Sequence, residues 1–309
     1  MSTTTSAPQL DTQRQTFETA RLDLLARHGF EAASRWITDA RGRRIYAMER
    51  GKGDCPRILI HGGISEGSEW WPIAARLGGR TLIADRPGFG LSCVPDPARS
   101  FRASALEWME TLVAGLGAPK VDLIGNSLGG YTSLVYALAH PDRVRRLVLV
   151  GAPAGLHRRV PLLLRLWGNP LAGRLITARP ISDPEQLRKI LGSILVVDAR
   201  NIPRQELDVM VAGGLLPGVP RYTFEMLKEI TDLGGFRRKQ LIMSEVANLA
   251  TPTRFVWGDE DAFCTPAAAV PVWDRMSQAE LVEISGAGHL PQFDRPDEVG
   301  DAVVEFLDS

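Results

Sequence analysis

The stretch of sequence that decides the fold is Gly125-Asn126-Ser127-Leu128-Gly129-Gly130. It follows the apolar run Val121 to Ile124 and opens a segment whose apolar residues recur with helical spacing. A serine on such a sharp strand-to-helix turn adopts a strained backbone conformation, which requires small residues two positions before and two positions after it. Gly125 and Gly129 meet this requirement. The stretch therefore predicts that Ser127 is a nucleophile raised above the end of a strand.

A nucleophilic serine needs a base, because a hydroxyl is weakly nucleophilic at neutral pH. His289 lies in a glycine-rich loop, residues 285–289, which follows the apolar run Leu281 to Ile284 and precedes a C-terminal helix. A histidine in such a loop can reach the edge of a sheet, so we expect His289 to be the base. The remaining histidines occupy other contexts: His28, His61, His140 and His157.

The third member of a triad should be a carboxylate at another strand end, where it orients the imidazole. Residues 253–257 read as a buried strand, and three acids follow it closely. Asp259 and Glu260 are more simply interpreted as solvated turn residues, whereas Asp261 stands where the chain turns into the next helix. Spacing favours Asp261 over its two neighbours.

Five motifs in this order resemble those of the α/β-hydrolases, in their capped esterase and lipase-like branch. The motifs are His61-Gly62-Gly63, Asp85-Arg86-Pro87-Gly88-Phe89-Gly90, the serine turn, Trp257-Gly258-Asp259-Glu260-Asp261 and Gly288-His289-Leu290-Pro291-Gln292-Phe293. The resemblance places the family's aspartate on Asp261, in agreement with the spacing. It also implies oxyanion donors on the backbone N–H groups of Gly63 and Leu128, and leaves His61 to shape its loop.

The resemblance implies an α/β fold with a mostly parallel central sheet, helices on both faces and a helical cap inserted after the sixth strand. Alternating strand and helix patterns, with strands apolar on both faces, agree with a sheet covered by helices. The expected divisions are 1–12 disordered, 13–34 a helical extension, 35–153 and 249–309 the two parts of the core, and 154–248 the cap. Within the extension, residues 12–28 predict an amphipathic helix docked on the domain or on a partner.

The cap is expected to shape the substrate pocket. Most of its apolar residues should form cap core, and some should line the pocket: Leu162, Leu163, Leu164, Leu166, Trp167, Leu215, Leu216, Phe224, Met226 and Leu227. Possible pocket residues of the core are Trp70, Trp71, Ile64 and Asn126. The cap also carries a group of arginines, which we interpret as a solvated face rather than a site for an anionic substrate or partner: Arg158, Arg159, Arg165, Arg174, Arg179 and Arg188.

Composition disfavours functions that depend on the net charge of the whole chain. The chain has 309 residues and a formal net charge of zero, so no global field favours nucleic acid or a membrane. We expect no stretch to span a bilayer and no secretory signal. Three cysteines without metal-ligand spacing, Cys55, Cys93 and Cys264, suggest reduced thiols and a cytoplasmic setting. Cys264, near Asp261, is expected to be a packing residue.

These observations predict a serine hydrolase that cleaves a small to medium, largely apolar ester or related acyl compound without a metal or organic cofactor. Serine at position 127 argues against the dehalogenase and epoxide-hydrolase branches, which use a carboxylate nucleophile. The serine turn is also similar to that of carbon–carbon bond hydrolases that act on ring-cleavage products. Ile64-Ser65-Glu66 and Leu290 depart from that subgroup's pattern. A small-molecule receptor that keeps the fold is the third hypothesis. Oligomeric state is left open.

Overall fold

The computed structural model describes residues 11–309, apart from the side chains of residues 271 and 272. The strands are β1 (Ala33–Thr38), β2 (Arg44–Arg50), β3 (Arg57–Ile60), β4 (Thr81–Ala84), β5 (Val121–Asn126), β6 (Val144–Val150), β7 (Thr231–Asp232), β8 (Gly235–Phe236), β9 (Thr253–Gly258) and β10 (Ala279–Ile284). The helices are α1 (Thr12–Arg27), α2 (Phe101–Leu116), α3 (Leu128–Ala139), α4 (Leu162–Trp167), α5 (Ala172–Thr177), α6 (Pro184–Ile194), α7 (Arg204–Gly214), α8 (Val219–Ile230), α9 (Pro266–Trp273), α10 (Pro291–Asp294) and α11 (Pro296–Asp308).

Eight strands form the central sheet, in the order β1-β2-β4-β3-β5-β6-β9-β10. The β1–β2 and β2–β4 pairs are antiparallel, and the pairs from β4 to β10 are parallel. Every residue of β5 and β9 is buried, as a strand covered on both faces requires. Helices α2 and α3 pack on each other, whereas α11 packs against β9 and β10. The predicted fold class is confirmed.

Local sequence signals explain where α2 begins and ends. The Ser100 side chain accepts a hydrogen bond from the Ala103 N–H at 3.3 Å, which caps the first turn. Gly117 ends the helix with a φ of 66°, a left-handed conformation that glycine adopts without steric cost. Helix α2 packs on α3, and α3 in turn packs on β5, the strand that leads into the turn with Ser127.

Helix α1 docks on its own chain. Its Arg21 side chain is fully buried and contacts the Asp85 carboxylate at 2.8 Å and the Glu66 carboxylate at 3.3 Å. The helix also packs against α7. The expected disorder of residues 1–12 falls almost entirely outside the described residues; Asp11 and Thr12, which are described, form the cap and the first residue of α1.

Five helices and one small hairpin lie between β6 and β9. We call residues 154–248 the cap segment; its helices are α4 to α8, and β7 pairs with β8 in an antiparallel hairpin that the sequence pattern did not predict. Three leucines expected in the cap core are instead exposed to solvent: Leu162, Leu163 and Leu166. The expectation was wrong for these residues because the short helix α4 turns its other side, with Leu164, toward the interior. The division boundaries stay predictions.

No helix among the described residues combines the length and the apolar character that crossing a membrane would require.

Candidate active site

Loops that follow four parallel strands meet over one cavity at the same edge of the sheet. They follow β3, β5, β9 and β10, and they carry residues 61–65, Ser127, Phe263 and His289. The cavity has a volume of about 720 Å³ including its open mouth. Parallel strands bring their carboxyl ends to one edge, so side chains distant in sequence share this space.

Ser127 has a strained backbone, with φ 52° and ψ −112°. It is the one non-glycine residue with positive φ among the described residues. The turn closes tightly because a Cβ on Gly129 would lie 2.0 Å from the Ile60 carbonyl oxygen, and a Cβ on Gly125 would lie 2.6 Å from the Gly129 backbone. The glycine spacing therefore acts as the sequence predicted, and Ser127 stands at the N-terminus of α3 within the cavity lining.

His289 is held by Asp261. Its Nδ1 atom lies 2.9 Å from Asp261 Oδ2 and 3.1 Å from Oδ1. The carboxylate also accepts hydrogen bonds from the N–H groups of Ala152 and Phe263, both at 2.8 Å. Burial by itself would raise the pKa of Asp261, but His289 and the N–H donors hold that pKa below its usual value. An ionised Asp261 makes Nδ1 the protonated nitrogen, which leaves Nε2 as the basic one.

The His289 Nε2 atom is buried and has no hydrogen-bond partner among the described residues. The Phe263 ring stacks on the imidazole, with ring centroids 3.8 Å apart. His289 and Ser127 both line the cavity. The imidazole is thus fixed on one side by Asp261, covered on one face by an aromatic ring, and open at the nitrogen that could accept a proton.

The other two candidate acids lie elsewhere. The Asp259 carboxylate accepts hydrogen bonds from Ser285 Oγ at 3.1 Å and from the Gly286 N–H at 2.8 Å, so it shapes the loop before His289. Glu260 is exposed to solvent. The structure therefore brings Asp261, and neither of its neighbours, to the imidazole.

The loop after β3 faces the start of α3. A Cβ on Gly63 would lie 2.9 Å from Leu128 Cδ1, and a Cβ on Gly129 would lie 2.6 Å from the His61 carbonyl oxygen, so the loop packs against the first residues of α3. No acceptor among the described residues takes a hydrogen bond from the N–H of either residue. His61 shapes this loop: its Nε2 accepts the Arg86 N–H at 2.8 Å, and burial, with the Arg86 charge, holds its pKa well below the usual value. A neutral imidazole fits that role.

Glu69 is a site residue that the sequence analysis missed. It is 1% exposed and lines the cavity. Its Oε1 atom accepts the Gly62 N–H at 2.8 Å, whereas Oε2 has no hydrogen-bond partner among the described residues. Burial raises the pKa of Glu69 to about 7, and the Ser65 and Gly62 hydrogen bonds oppose this increase. A glutamate eight residues past the histidine of a glycine turn carries no motif that could have revealed it.

His157 is a second residue whose position the sequence did not reveal. It lines the cavity, and both of its ring nitrogens are buried without hydrogen-bond partners in the described part of the chain. Burial lowers its pKa to about 4, Asp261 acts in the opposite direction, and His289 adds to the decrease. His157 is therefore neutral at neutral pH and lies close enough to the His289–Asp261 pair to respond to its charges.

The cap segment supplies a largely apolar wall of the cavity, formed by Val160, Leu164, Leu195, Leu227, Ile230 and Phe236. Ile64 and Asn126 also line the cavity, as the sequence analysis suggested. Arg159 also lines the cavity; it is exposed to solvent and has no ion pair with any described carboxylate.

Trp70 and Trp71 do not line this cavity, which corrects their assignment as possible pocket residues. Trp70 is fully buried in the core, and Trp71 packs against His28 and Phe293, with ring centroids 4.2 and 5.8 Å away. The reason is the short 3₁₀ turn at Gly67–Trp70, which directs Glu69 to the cavity instead.

Cys264 is buried and does not line the cavity. Its backbone carbonyl accepts the Trp257 Nε1–H at 2.9 Å, and burial raises the pKa of its thiol. A protonated thiol in this position agrees with a packing role. Within residues 11–309, side chains 271 and 272 aside, no cluster of three or more histidine, cysteine, aspartate or glutamate residues could hold a metal ion.

Comparison with known proteins gives one family and several relatives. The family model described as the alpha/beta hydrolase family matches residues 58–302. A 2-hydroxy-6-oxononadienedioate/2-hydroxy-6-oxononatrienedioate hydrolase from Klebsiella pneumoniae subsp. pneumoniae is 26% identical over a 295-residue alignment. This alignment covers 89% of this chain and 96% of that protein. A 2-hydroxy-6-oxo-6-phenylhexa-2,4-dienoate hydrolase from Comamonas testosteroni is 26% identical, over 85% of this chain and 91% of that protein.

Two solved structures are similar in fold. Carboxylesterase CesB from Bacillus subtilis has a TM-score of 0.73 and 21% identity, covering 96% of this chain and 98% of its own. A meta-cleavage product hydrolase from Pseudomonas fluorescens IP01 has a TM-score of 0.72 and 22% identity, covering 89% and 97% of the two chains. At these identities, the two structures establish the shared fold alone.

Proposed function

The chain belongs to the α/β-hydrolase family, and we propose that it is a serine hydrolase that cleaves a small to medium, largely apolar ester or related acyl compound. One observation carries this proposal. The imidazole of His289, whose Nδ1 lies 2.9 Å from a buried carboxylate, has an Nε2 without a hydrogen-bond partner among the described residues, and it lines the same cavity as Ser127, whose backbone is strained. These are the parts that acyl transfer through serine requires.

In the proposed reaction, His289 Nε2 removes the Ser127 Oγ proton while Oγ attacks the acyl carbon. The tetrahedral intermediate then collapses, the carbon–oxygen bond to the alcohol breaks, and the imidazolium gives its proton to the leaving alcohol. A water molecule next attacks the acyl-serine, with His289 again taking and returning one proton, and the free acid leaves. Asp261 holds the imidazole in the required tautomer and stabilises the imidazolium.

The backbone N–H groups of Gly63 and Leu128 are proposed to bind the oxyanion. The packing of the Gly63 loop against the start of α3 supports this role, as does the lack of acceptors for both N–H groups among the described residues. One such donor contributes roughly 3 to 4 kcal/mol to transition-state stabilisation. Glu69 is proposed to orient this turn through its hydrogen bond to the Gly62 N–H. The largely apolar wall that the cap segment supplies suits an apolar acyl or alcohol group.

The experiment is covalent labelling with a fluorophosphonate, followed by steady-state turnover of short p-nitrophenyl esters. We expect stoichiometric labelling at Ser127 and multiple turnovers. Ser127→Ala should show neither, with an unchanged circular dichroism spectrum. Absence of labelling in the parent protein would contradict the proposal. Labelling without turnover would instead favour the receptor hypothesis.

A carbon–carbon bond hydrolase is the second candidate, and two observations favour it. The Klebsiella and Comamonas relatives are named as hydrolases of oxo-dienoates that carry carboxylate groups. Arg159, without an ion pair to a described carboxylate, lines the cavity and could bind such a group. Turnover of a dienoate ring-cleavage product faster than of any ester in a matched panel would establish this function in place of the esterase.

A further inference from the structure

Six leucines of the cap segment expose large apolar side chains to solvent. We call them the leucine patch: Leu162 (61% exposed), Leu163 (39%), Leu166 (39%), Leu171 (78%), Leu175 (74%) and Leu233 (65%). Single exposed leucines are ordinary on a protein surface, but a contiguous apolar group of this size usually marks a binding surface.

The leucine patch has three parts, which lie on α4, at α5 and in the turn between β7 and β8, and these parts are neighbours in the fold. Trp167 Nε1 donates a hydrogen bond to Thr177 Oγ1 at 3.2 Å, which joins α4 to α5. Arg165 Nη1 donates to the Leu233 carbonyl oxygen at 3.2 Å, which joins the β7–β8 turn to α4. Leu162 and Leu166 are four residues apart along α4, as are Leu171 and Leu175 at α5, so each pair shares one helix face.

The same part of the chain carries an excess of positive charge. Residues 157–182 contain five arginines and neither aspartate nor glutamate. Arg158 pairs with Asp232 at 3.2 Å. The other four make no ion pair with any described carboxylate: Arg159, Arg165, Arg174 and Arg179. The arginine face predicted from the sequence is therefore combined with an apolar surface that the sequence did not predict.

The exposed leucines and the excess of arginines together decide which partner the leucine patch could bind. A second copy of the chain in a two-fold dimer would bring each arginine cluster toward its own copy, and like charges would oppose the contact. An anionic lipid surface satisfies both features, because leucines enter the boundary of the acyl chains while arginines bind the head groups. Helix α4 also connects this surface to the cavity, since its Leu164 lines the cavity wall.

We propose that the leucine patch docks the protein peripherally on an anionic lipid surface. This inference goes beyond the proposed function and does not depend on it, because lipid binding is measured without substrate.

The test is co-sedimentation of the full chain with unilamellar vesicles of phosphatidylcholine, with and without phosphatidylglycerol. We expect binding to the phosphatidylglycerol vesicles that weakens as salt is raised, and at least tenfold weaker binding to pure phosphatidylcholine. The double variant Arg174→Gln/Arg179→Gln should bind roughly 25-fold more weakly, at about fivefold per arginine. Leu171→Ser/Leu175→Ser should lose at least tenfold as well.

The matched control is Lys120→Gln. Lys120 is exposed and precedes β5, so it lies at the edge of the sheet opposite the candidate active site. The Lys120→Gln variant should therefore bind vesicles as strongly as the parent. The circular dichroism spectra and the urea unfolding midpoints of the patch variants, compared with those of the parent, check that the variants are folded. Absence of binding to phosphatidylglycerol vesicles would overturn the proposal, as would equal binding by parent and patch variants. A dimer in solution that Leu171→Ser/Leu175→Ser dissociates, without vesicle binding, would assign the surface to self-association.

Discussion

At the scale of single residues, the candidate site depends on groups whose local demands are met by neighbours. Ser127 holds a positive φ, a conformation that costs of order 1 to 3 kcal/mol for a non-glycine residue. The surrounding packing maintains it, because Gly125 and Gly129 allow strand and helix backbones to approach each other. His289 is oriented in the same way, by a carboxylate that two backbone N–H groups also hold.

Substitution of the three proposed catalytic residues should separate their roles. We expect Ser127→Ala and His289→Ala each to lower kcat by about three orders of magnitude or more, and Asp261→Asn to lower it less. The two large effects should not add, since the residues act in one step. Steady-state kinetics on p-nitrophenyl acetate measure kcat for the parent and for each variant. Asp259→Asn is the control, and a loss there as large as in Asp261→Asn would contradict the assigned acid.

Glu69 offers a more specific test of the loop after β3. Glu69→Ala removes the acceptor of the Gly62 N–H, and the resulting displacement of the oxyanion turn should lower kcat by up to about 100-fold. Glu69→Gln keeps an oxygen that can accept the same hydrogen bond, so its kcat at pH 6 should remain within about threefold of the parent. Equal losses in both variants would contradict the role assigned to the hydrogen bond, because Glu69→Gln keeps its acceptor oxygen.

At the scale of elements, helix α1 joins the core to the cap segment. Arg21 is fully buried between Asp85 and Glu66, and its guanidinium lies 4.2 Å from the centre of the Tyr46 ring. His28 at the end of the same helix contacts Glu206 of α7 at 2.9 Å. The sequence predicted this helix, but the carboxylates that Arg21 and His28 contact lie at least 45 residues away in the chain.

Removal of the Arg21 charge should destabilise the protein strongly. Arg21→Met leaves two buried carboxylates without their cation, and breaking a buried pair in this way costs about 3 to 5 kcal/mol. Urea unfolding followed by circular dichroism measures the change. Arg14→Met alters a partly exposed ion pair on the same helix and should cost less than about 1 kcal/mol. Similar losses in the two variants would mean that the buried network does not stabilise the docked helix.

At the scale of the whole molecule, buried titratable groups make stability depend on pH. Burial lowers the pKa of His157 from 6.5 to about 4, so between these values the unfolded state binds a proton that the folded state lacks. Stability from this group falls as the pH falls from 6.5 to 4. Burial raises the pKa of Glu69 from 4.5 to about 7, which gives the opposite sign: stability from this group falls as the pH rises from 4.5 to 7.

Two variants separate these contributions. His157→Gln should lose less stability than the parent on acidification from pH 6.5 to 4, and Glu69→Gln should lose less on a rise from pH 4.5 to 7. Free energies of unfolding in urea, measured across about pH 4 to 8, give one curve of stability against pH for the parent and one for each variant. Parallel curves for all three proteins would contradict the assigned titrations, since every other group is unchanged between them.

The sequence by itself determined the sheet, the serine turn and the loops that carry Asp261 and His289. These follow from local rules: apolar runs mark strands, and glycines two residues either side of Ser127 permit its turn. The strand predicted at residues 253–257 is β9, Thr253–Gly258, whereas the hairpin β7–β8 lacked enough residues to produce a pattern.

Only the tertiary structure decided which side chains complete the site and which leucines face solvent. Glu69 and His157 reach the cavity because a 3₁₀ turn and the chain after β6 fold over it, which no spacing rule encodes. Leu164 faces inward and Leu162 outward although both read as apolar. Burial depends on what packs against a segment, and the packing partners of α4 come from distant parts of the chain.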